Sequence, residues 1–164
     1  GTGGPVFMSS IRPIQRFGQT DMDPRIEIWN ILHDGEITAV EEDGAGNVRM
    51  FVSIPYLRRR LHPLGDSFVL MLGGVTRMEC RNFSESEVNT LREELDIGSP
   101  EILKMDSTEM PLKVDTTMGS LVIDFKTIEF RMDTGEEVGF DRIAEVCDQY
   151  WIEWKRKAEQ ARGG

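Results

Sequence analysis

The amino-acid sequence predicts an α+β domain: a largely antiparallel, twisted sheet of about six to eight strands, a C-terminal amphipathic helix packed on it, and a second short helix. Three observations point there. Short apolar runs cut by turn residues fill residues 26–83, the rhythm of antiparallel strands. Leu121, Ile123 and Phe125, then Ile128, Phe130 and Met132, recur at every second position, the period of a strand with one buried face. Ile143, Val146, Cys147, Tyr150, Trp151 and Trp154 fall at offsets 0, 3, 4, 7, 8 and 11, a wide apolar stripe on a helix starting at Asp141.

In chain order, residues 1–25 hold Gly1, Gly3, Gly4, Ser9 and Ser10 and few large apolar side chains, so they read as a flexible leader, within which Met8 or Met22 could be the native start. Ile26, Ile28 and Ile31-Leu32 lead through His33-Asp34-Gly35 to Ile37-Thr38-Ala39-Val40. An Asp-Gly turn between two such runs favours a hairpin, because its left-handed backbone matches strand twist. Gly44-Ala45-Gly46-Asn47 makes the next turn, and Val48, Met50, Val52 and Ile54 alternate with Arg49, Phe51 and Ser53 in the third strand of a meander. Pro55 halts it, residues 56–61 have the spacing of one helical turn, and His62-Pro63-Leu64-Gly65-Asp66 ends that turn.

The unbroken apolar run 68–72 predicts a central strand with both faces covered, and Gly73-Gly74 a bend or turn after it. Residues 75–83 form a strand with Arg77, Glu79 and Arg81 on one face and Met78 and Cys80 on the other, which places Cys80 in the core. Ser84-Glu85-Ser86-Glu87 has the spacing of a capping box, with Val88, Leu91 and Leu95 as the stripe of the short helix it opens. Ile102-Leu103 and Leu112-Lys113-Val114 read as short strands. The apolar phase then shifts near Lys126-Thr127, which requires either a bulge or the end of one strand and the start of another. Asp133-Thr134-Gly135 is a turn, the single domain spans 26–158, and residues 159–164 are a frayed tail.

At 164 residues the chain can bury one sizeable core without a metal or disulfide staple. It holds 29 Asp and Glu against 19 Lys and Arg, a net charge of −10; the leader, with three arginines against two aspartates, is slightly basic, so the domain carries −11. That balance argues against unaided binding to nucleic acid or anionic lipid and leaves a basic protein as the natural partner. Two distant cysteines, Cys80 and Cys147, fit a reduced compartment, and no run of about 18–20 apolar residues or signal-peptide core is present, so the expected location is cytoplasmic with no membrane span.

Chemical motifs are sparse. The sequence contains no phosphate loop GxxxxGK[ST], no complete GxGxxG, no HExxH, no CxxC and no GxSxG, and its two histidines and two cysteines lack the close pairs that seed a zinc site, so neither metal nor cofactor is expected. His33 beside Asp34 is the best acid–base candidate, although an Asp-Gly turn has a structural use of its own. His62 near Arg58, Arg59 and Arg60 could make a small anion-binding patch, weighed against a plain solvated face. Trp29, Trp151 and Trp154 could line a ligand cleft, weighed against ordinary core packing. Glu41-Glu42-Asp43 and Glu136-Glu137 point to alternating faces and read as turn residues and solubilising charge.

Ile26-Glu27-Ile28-Trp29-Asn30-Ile31-Leu32-His33-Asp34-Gly35, Ile54-Pro55-Tyr56-Leu57-Arg58, Gly65-Asp66-Ser67-Phe68 and Tyr150-Trp151-Ile152-Glu153-Trp154 resemble a group of small bacterial proteins. Those proteins begin with a strand ending in Leu-His-Asp-Gly and end with an aromatic helix. The resemblance implies a bacterial source and a compact α+β domain, and no particular activity. The terminal Arg162-Gly163-Gly164 resembles the conjugation tail of ubiquitin-like modifiers, but the residues before it continue a helix and the domain is about twice the usual size. The expected function is a non-enzymatic, acidic interaction domain, similar to immunity proteins in size and charge. The competing expectation is a small enzyme or small-ligand binder using His33, Asp34 and His62.

Overall fold

The computed structural model describes residues 22–163. In chain order the elements are α1 (Pro24–Ile31), β1 (Glu36–Glu42), β2 (Val48–Ser53), α2 (Pro55–Arg58), β3 (Ser67–Gly73), β4 (Arg77–Arg81), β5 (Val88–Asn89), α3 (Leu91–Ile97), β6 (Ile102–Met105), β7 (Leu112–Thr116), β8 (Gly119–Asp124), β9 (Thr127–Met132) and α4 (Phe140–Gly163). The α+β class is as expected. The strands are antiparallel but form two sheets, one of four in the order β1-β2-β3-β9 and one of five in the order β5-β4-β8-β7-β6.

The division follows from a corner that two chain segments turn together. Lys126 N donates to Gly73 O at 2.8 Å and Thr76 N to Asp124 O at 3.0 Å, so β3 runs into β4 beside the run of β8 into β9. Gly74 takes φ +65° there, and a Cβ on it would press on the Lys126 side chain at 3.0 Å. The phase shift near Lys126-Thr127 therefore marks the end of one strand and the start of another, with Phe125 buried at the bend. At the opposite seam β1 starts beside β6, through Ile102 N to Gly35 O at 2.8 Å and Ile37 N to Pro100 O at 2.9 Å. The inner faces share one core, to which Met50, Val52, Phe68 and Leu70 contribute from one sheet and Val114, Leu121 and Ile123 from the other.

Two local expectations are corrected. Residues 26–31 are helix rather than strand, so no hairpin forms at Asp34-Gly35. Asp23 caps the helix by accepting from Arg25 N at 3.0 Å, and Pro24 opens it. Ile28, Trp29 and Leu32, on one helical face, are fully buried. His33-Asp34-Gly35 instead turns the chain from α1 into β1, with Asp34 at φ +74°. Secondly, α3 begins seven residues after Ser84. Its capping box is Thr90 with Glu93, where Glu93 N donates to Thr90 Oγ1 at 3.1 Å and Thr90 N to Glu93 Oε1 at 2.8 Å. Val88 lies on β5, half exposed. Ser84 and Ser86 instead fold around the Asn82 side chain in the β4–β5 turn.

Residues 1–21, most of the expected leader, lie outside the described residues, and residues 24–25 already belong to α1. Helix α4 is continuous through Gly163, where a frayed tail from 159 was expected. Its first half buries Ile143, Ala144, Val146 and Cys147, and Phe140 meets Phe130 of β9 with ring centroids 6.2 Å apart. Cys80 and Cys147 are both buried, and neither is in a disulfide. Among the described residues, no helix is long and apolar enough to cross a membrane.

Candidate interaction surface

The three consecutive arginines do not share a patch. Arg58 is fully buried; its Nε donates to Ser67 O at 3.1 Å, Nη1 to His62 O at 3.1 Å and Nη2 to Leu64 O at 2.8 Å, and Nη2 pairs with Asp133 Oδ1 at 2.7 Å. Burial would raise the Asp133 carboxyl, but the Asp66 and Ser67 N–H groups and the Arg58 guanidinium outweigh it and hold Asp133 below the usual carboxylate range. Arg58 thus ties the 62–67 loop to the β9 turn. Gly65 permits this closeness, since a Cβ there would fall on the Asp133 carboxylate and 2.7 Å from Arg58 Nη2. Arg59 reaches Gly65 O, and Arg60 pairs with Glu153 of α4 at 2.5 Å and lies over the Tyr150 ring.

His33 and Asp34 stay adjacent, with Nε2 and Oδ2 3.7 Å apart. The imidazole is held from two further directions: Nδ1 lies 2.7 Å from Asn30 O, and the ring stacks on Trp151 at 5.4 Å. Tyr56, whose phenol burial pushes its pKa up, points its hydroxyl at His33 O and packs against Tyr150 with the rings tilted by 38°. His62 accepts from Leu64 N through Nδ1 in the loop behind Arg58, so no contact joins it to His33. Trp29 is core: it is fully buried, with Nε1 bonded to Arg25 O at 2.9 Å, and cannot line a cleft. Trp151 is half-buried, and Trp154, expected in the core, is 54 % exposed. Among the described residues no three His, Cys, Asp or Glu side chains gather as a metal site.

A surface that sequence reasoning did not assemble lies on the four-stranded sheet. Strand register lines up Glu41, Arg49, Met71 and Glu129 across β1, β2, β3 and β9, with Ala39, Phe51, Val69 and Arg131 in the next row. These residues alternate with Val48, Met50, Leu70 and Phe130 of the core, so both rows face outward. Phe51 and Met71, both half-buried, make an apolar centre on that face beside Val69, which is buried. The outer face of the five-stranded sheet is different: Glu79 there takes ion pairs from Arg77 and Arg81, which hold its carboxyl below the usual range, and Lys113 and Asp115 continue the charge.

At one end of the apolar rows an open groove of about 440 Å³ has Val48, Met71 and Leu72 among its walls and Glu41, Glu42, Asp43 and Glu129 around it. Among the described residues Arg49 is the sole basic one lining it, and it is paired with Glu41 at 2.5 Å. Asp43 closes the β1–β2 turn: the Asn47 side-chain amide, with the Ala45 and Asn47 N–H groups, holds its carboxyl below the usual range. The arrangement supplies an apolar contact area and an anionic rim, the complement of an amphipathic basic segment. The chain matches no family model, no curated protein sequence and no solved structure, so this surface is read from its chemistry.

Proposed function

We propose that the chain is a non-enzymatic acidic interaction domain whose groove beside Met71 takes an amphipathic, basic segment of a protein partner. The observation that carries this reading is the groove itself, with four carboxylates around apolar walls and one arginine already paired. Aligned carboxylates raise the rate of encounter with a cationic partner, and apolar burial then holds it. Masking a basic toxin, as immunity proteins do, is a task of this kind that the size and charge fit. A catalytic reading through His33, Asp34 and His62 is less well supported, because His33 is held by Asn30 and Trp151 and His62 serves the loop it sits in.

The test uses a labelled helical peptide with leucines on one face and lysines on the other, and a matching peptide with glutamates in place of the lysines. Fluorescence anisotropy should detect the lysine peptide alone, with affinity falling as salt rises. Glu42→Lys/Glu129→Lys should weaken it at least tenfold. Equal binding of both peptides, or indifference to the double substitution, rejects the groove as the site.

A further inference from the structure

The apolar stripe of α4 runs past the edge of the core. Beyond Trp151 it continues through Trp154, Ala158 and Ala161, at offsets 11, 15 and 18 from Ile143, along turns whose surface is largely open. Trp154 is 54 % and Ile152 57 % exposed, an unusual state for two large apolar side chains on one helix end. Lys155 and Lys157 flank the stripe on its two sides. Residues 152–163 hold four basic against two acidic side chains, +2, whereas residues 22–151 hold 13 against 26, −13. An amphipathic basic helix therefore projects from a strongly acidic body.

The helix end cannot reach its own molecule's groove. Val48 stands at the groove end of β2, and the other end of β2 leads into α2, where Tyr56 packs on Tyr150 at 4.5 Å. Groove and helix exit thus sit at opposite ends of the sheet, about 20 Å apart at ~3.3 Å per strand residue. A continuous α-helix without proline or a glycine pair has no means of folding back.

We propose that two copies of this chain associate antiparallel, the α4 end of each docking on the outer face of the other's four-stranded sheet. Trp154 lies against Phe51 and Met71 of the second copy, with Lys155 and Lys157 toward its Glu41 and Glu129, which share the outward row. Placement at opposite ends lets one two-fold axis satisfy both contacts at once, so the assembly closes as a dimer. The proposal rests on reading the groove as an acceptor of basic segments, and names a second copy as one such partner.

The test is sedimentation equilibrium of the full chain from low micromolar to near-millimolar concentration. The wild type should rise from the mass of one chain to that of two, less so at high salt. Lys155→Glu/Lys157→Glu and Glu41→Lys/Glu129→Lys, all at exposed positions, should each lower the association constant at least tenfold. Mixed in equal amounts they should recover it, because in the mixed dimer a reversed helix meets a reversed groove in one contact and an unaltered helix meets an unaltered groove in the other. Trp154→Ala should weaken association with little change in its salt dependence. A wild type that stays a single chain throughout, or a mixture no better than its components, overturns the dimer. Groove-dependent binding of the lysine peptide by dilute, single-chain protein would in that case still stand, which separates the failure of the dimer from failure of the interaction reading.

Discussion

Asp133→Asn removes the counter-charge of a guanidinium that has no access to water. Breaking a buried ion pair from one side costs about 3–5 kcal/mol, because the remaining charge is left uncompensated. Two features of the site place the cost at the low end. The Asp133 side chain is 24 % exposed, and the asparagine oxygen can still accept from Asp66 N or Ser67 N, which now lie 2.9 and 3.1 Å from Oδ2. A loss of about 2–3 kcal/mol follows. With a urea slope of about 2 kcal/mol/M, the unfolding midpoint should fall by about 1–1.5 M. Arg58→Met combined with Asp133→Asn should cost clearly less than the sum of the single changes, since each removes the same pair. The pH dependence has a defined sign. Asp133 is held below its ordinary range, so its contribution is complete above the unfolded carboxyl value of about 3.9 and is lost as pH falls through the lower folded value. The gap between wild type and Asp133→Asn should therefore close in acid. Additive single costs, or a gap unchanged from neutral pH to about pH 2.5, would refute the assignment of Arg58 and Asp133 as a coupled pair.

Three further outcomes follow from local geometry. Gly119 sits at φ +131° with the position of a Cβ overlapping Arg81 O, so Gly119→Ala should cost at least about 3 kcal/mol, seen as a large drop in thermal midpoint, because β8 cannot pair with β4 at Arg81 and Ser120 without moving the backbone. Thr90→Ala removes the acceptor of Glu93 N and should lower stability by about 1 kcal/mol in the same urea assay. Burial, with the Glu94 charge nearby, pushes the Cys80 thiol up to about 12, so Cys80 should stay unmodified by a thiol reagent at pH 8 in native protein and react once urea unfolds it, as located by peptide mass spectrometry.

The parts of the fold that were legible are those where one period persists. Val48 to Ile54 alternates over a whole strand, residues 68–72 are apolar without a break, and the α4 stripe repeats over three turns; each appears where its period places it. Misreadings occurred where two physical rules gave the same short signature. Ile26 and Ile28 fit a strand, but Ile28, Trp29 and Leu32 fit a helix equally well, and the decision came from the Asp23-Pro24 start signal two residues earlier. Ser84 with Glu87 and Thr90 with Glu93 have identical spacing. Pairing of Cys80 with Asn89 draws residues 88–89 into the sheet, so the second box alone can open a helix.

The proposed interaction surface was hidden for a different reason. Its central row takes one residue from each of four strands, from Glu41 to Glu129, and nothing local to Met71 states that β3 pairs with β9 rather than with β4. The same holds for Trp154: the stripe shows which side of α4 is apolar, but where that side loses its cover depends on how far the body extends beneath the helix. Charge shows the consequence most directly. A domain total of −11 reads as uniform acidity, yet the fold divides it into a body of −13 and a projecting helix end of +2. Like charges spread over one surface would only repel another copy. Opposite charges at opposite ends, with exposed Trp154 beside one and half-buried Phe51 and Met71 beside the other, would give two copies an attractive antiparallel arrangement whose strength should fall with ionic strength, and that arrangement would follow from the fold's separation of the two charges rather than from their sum.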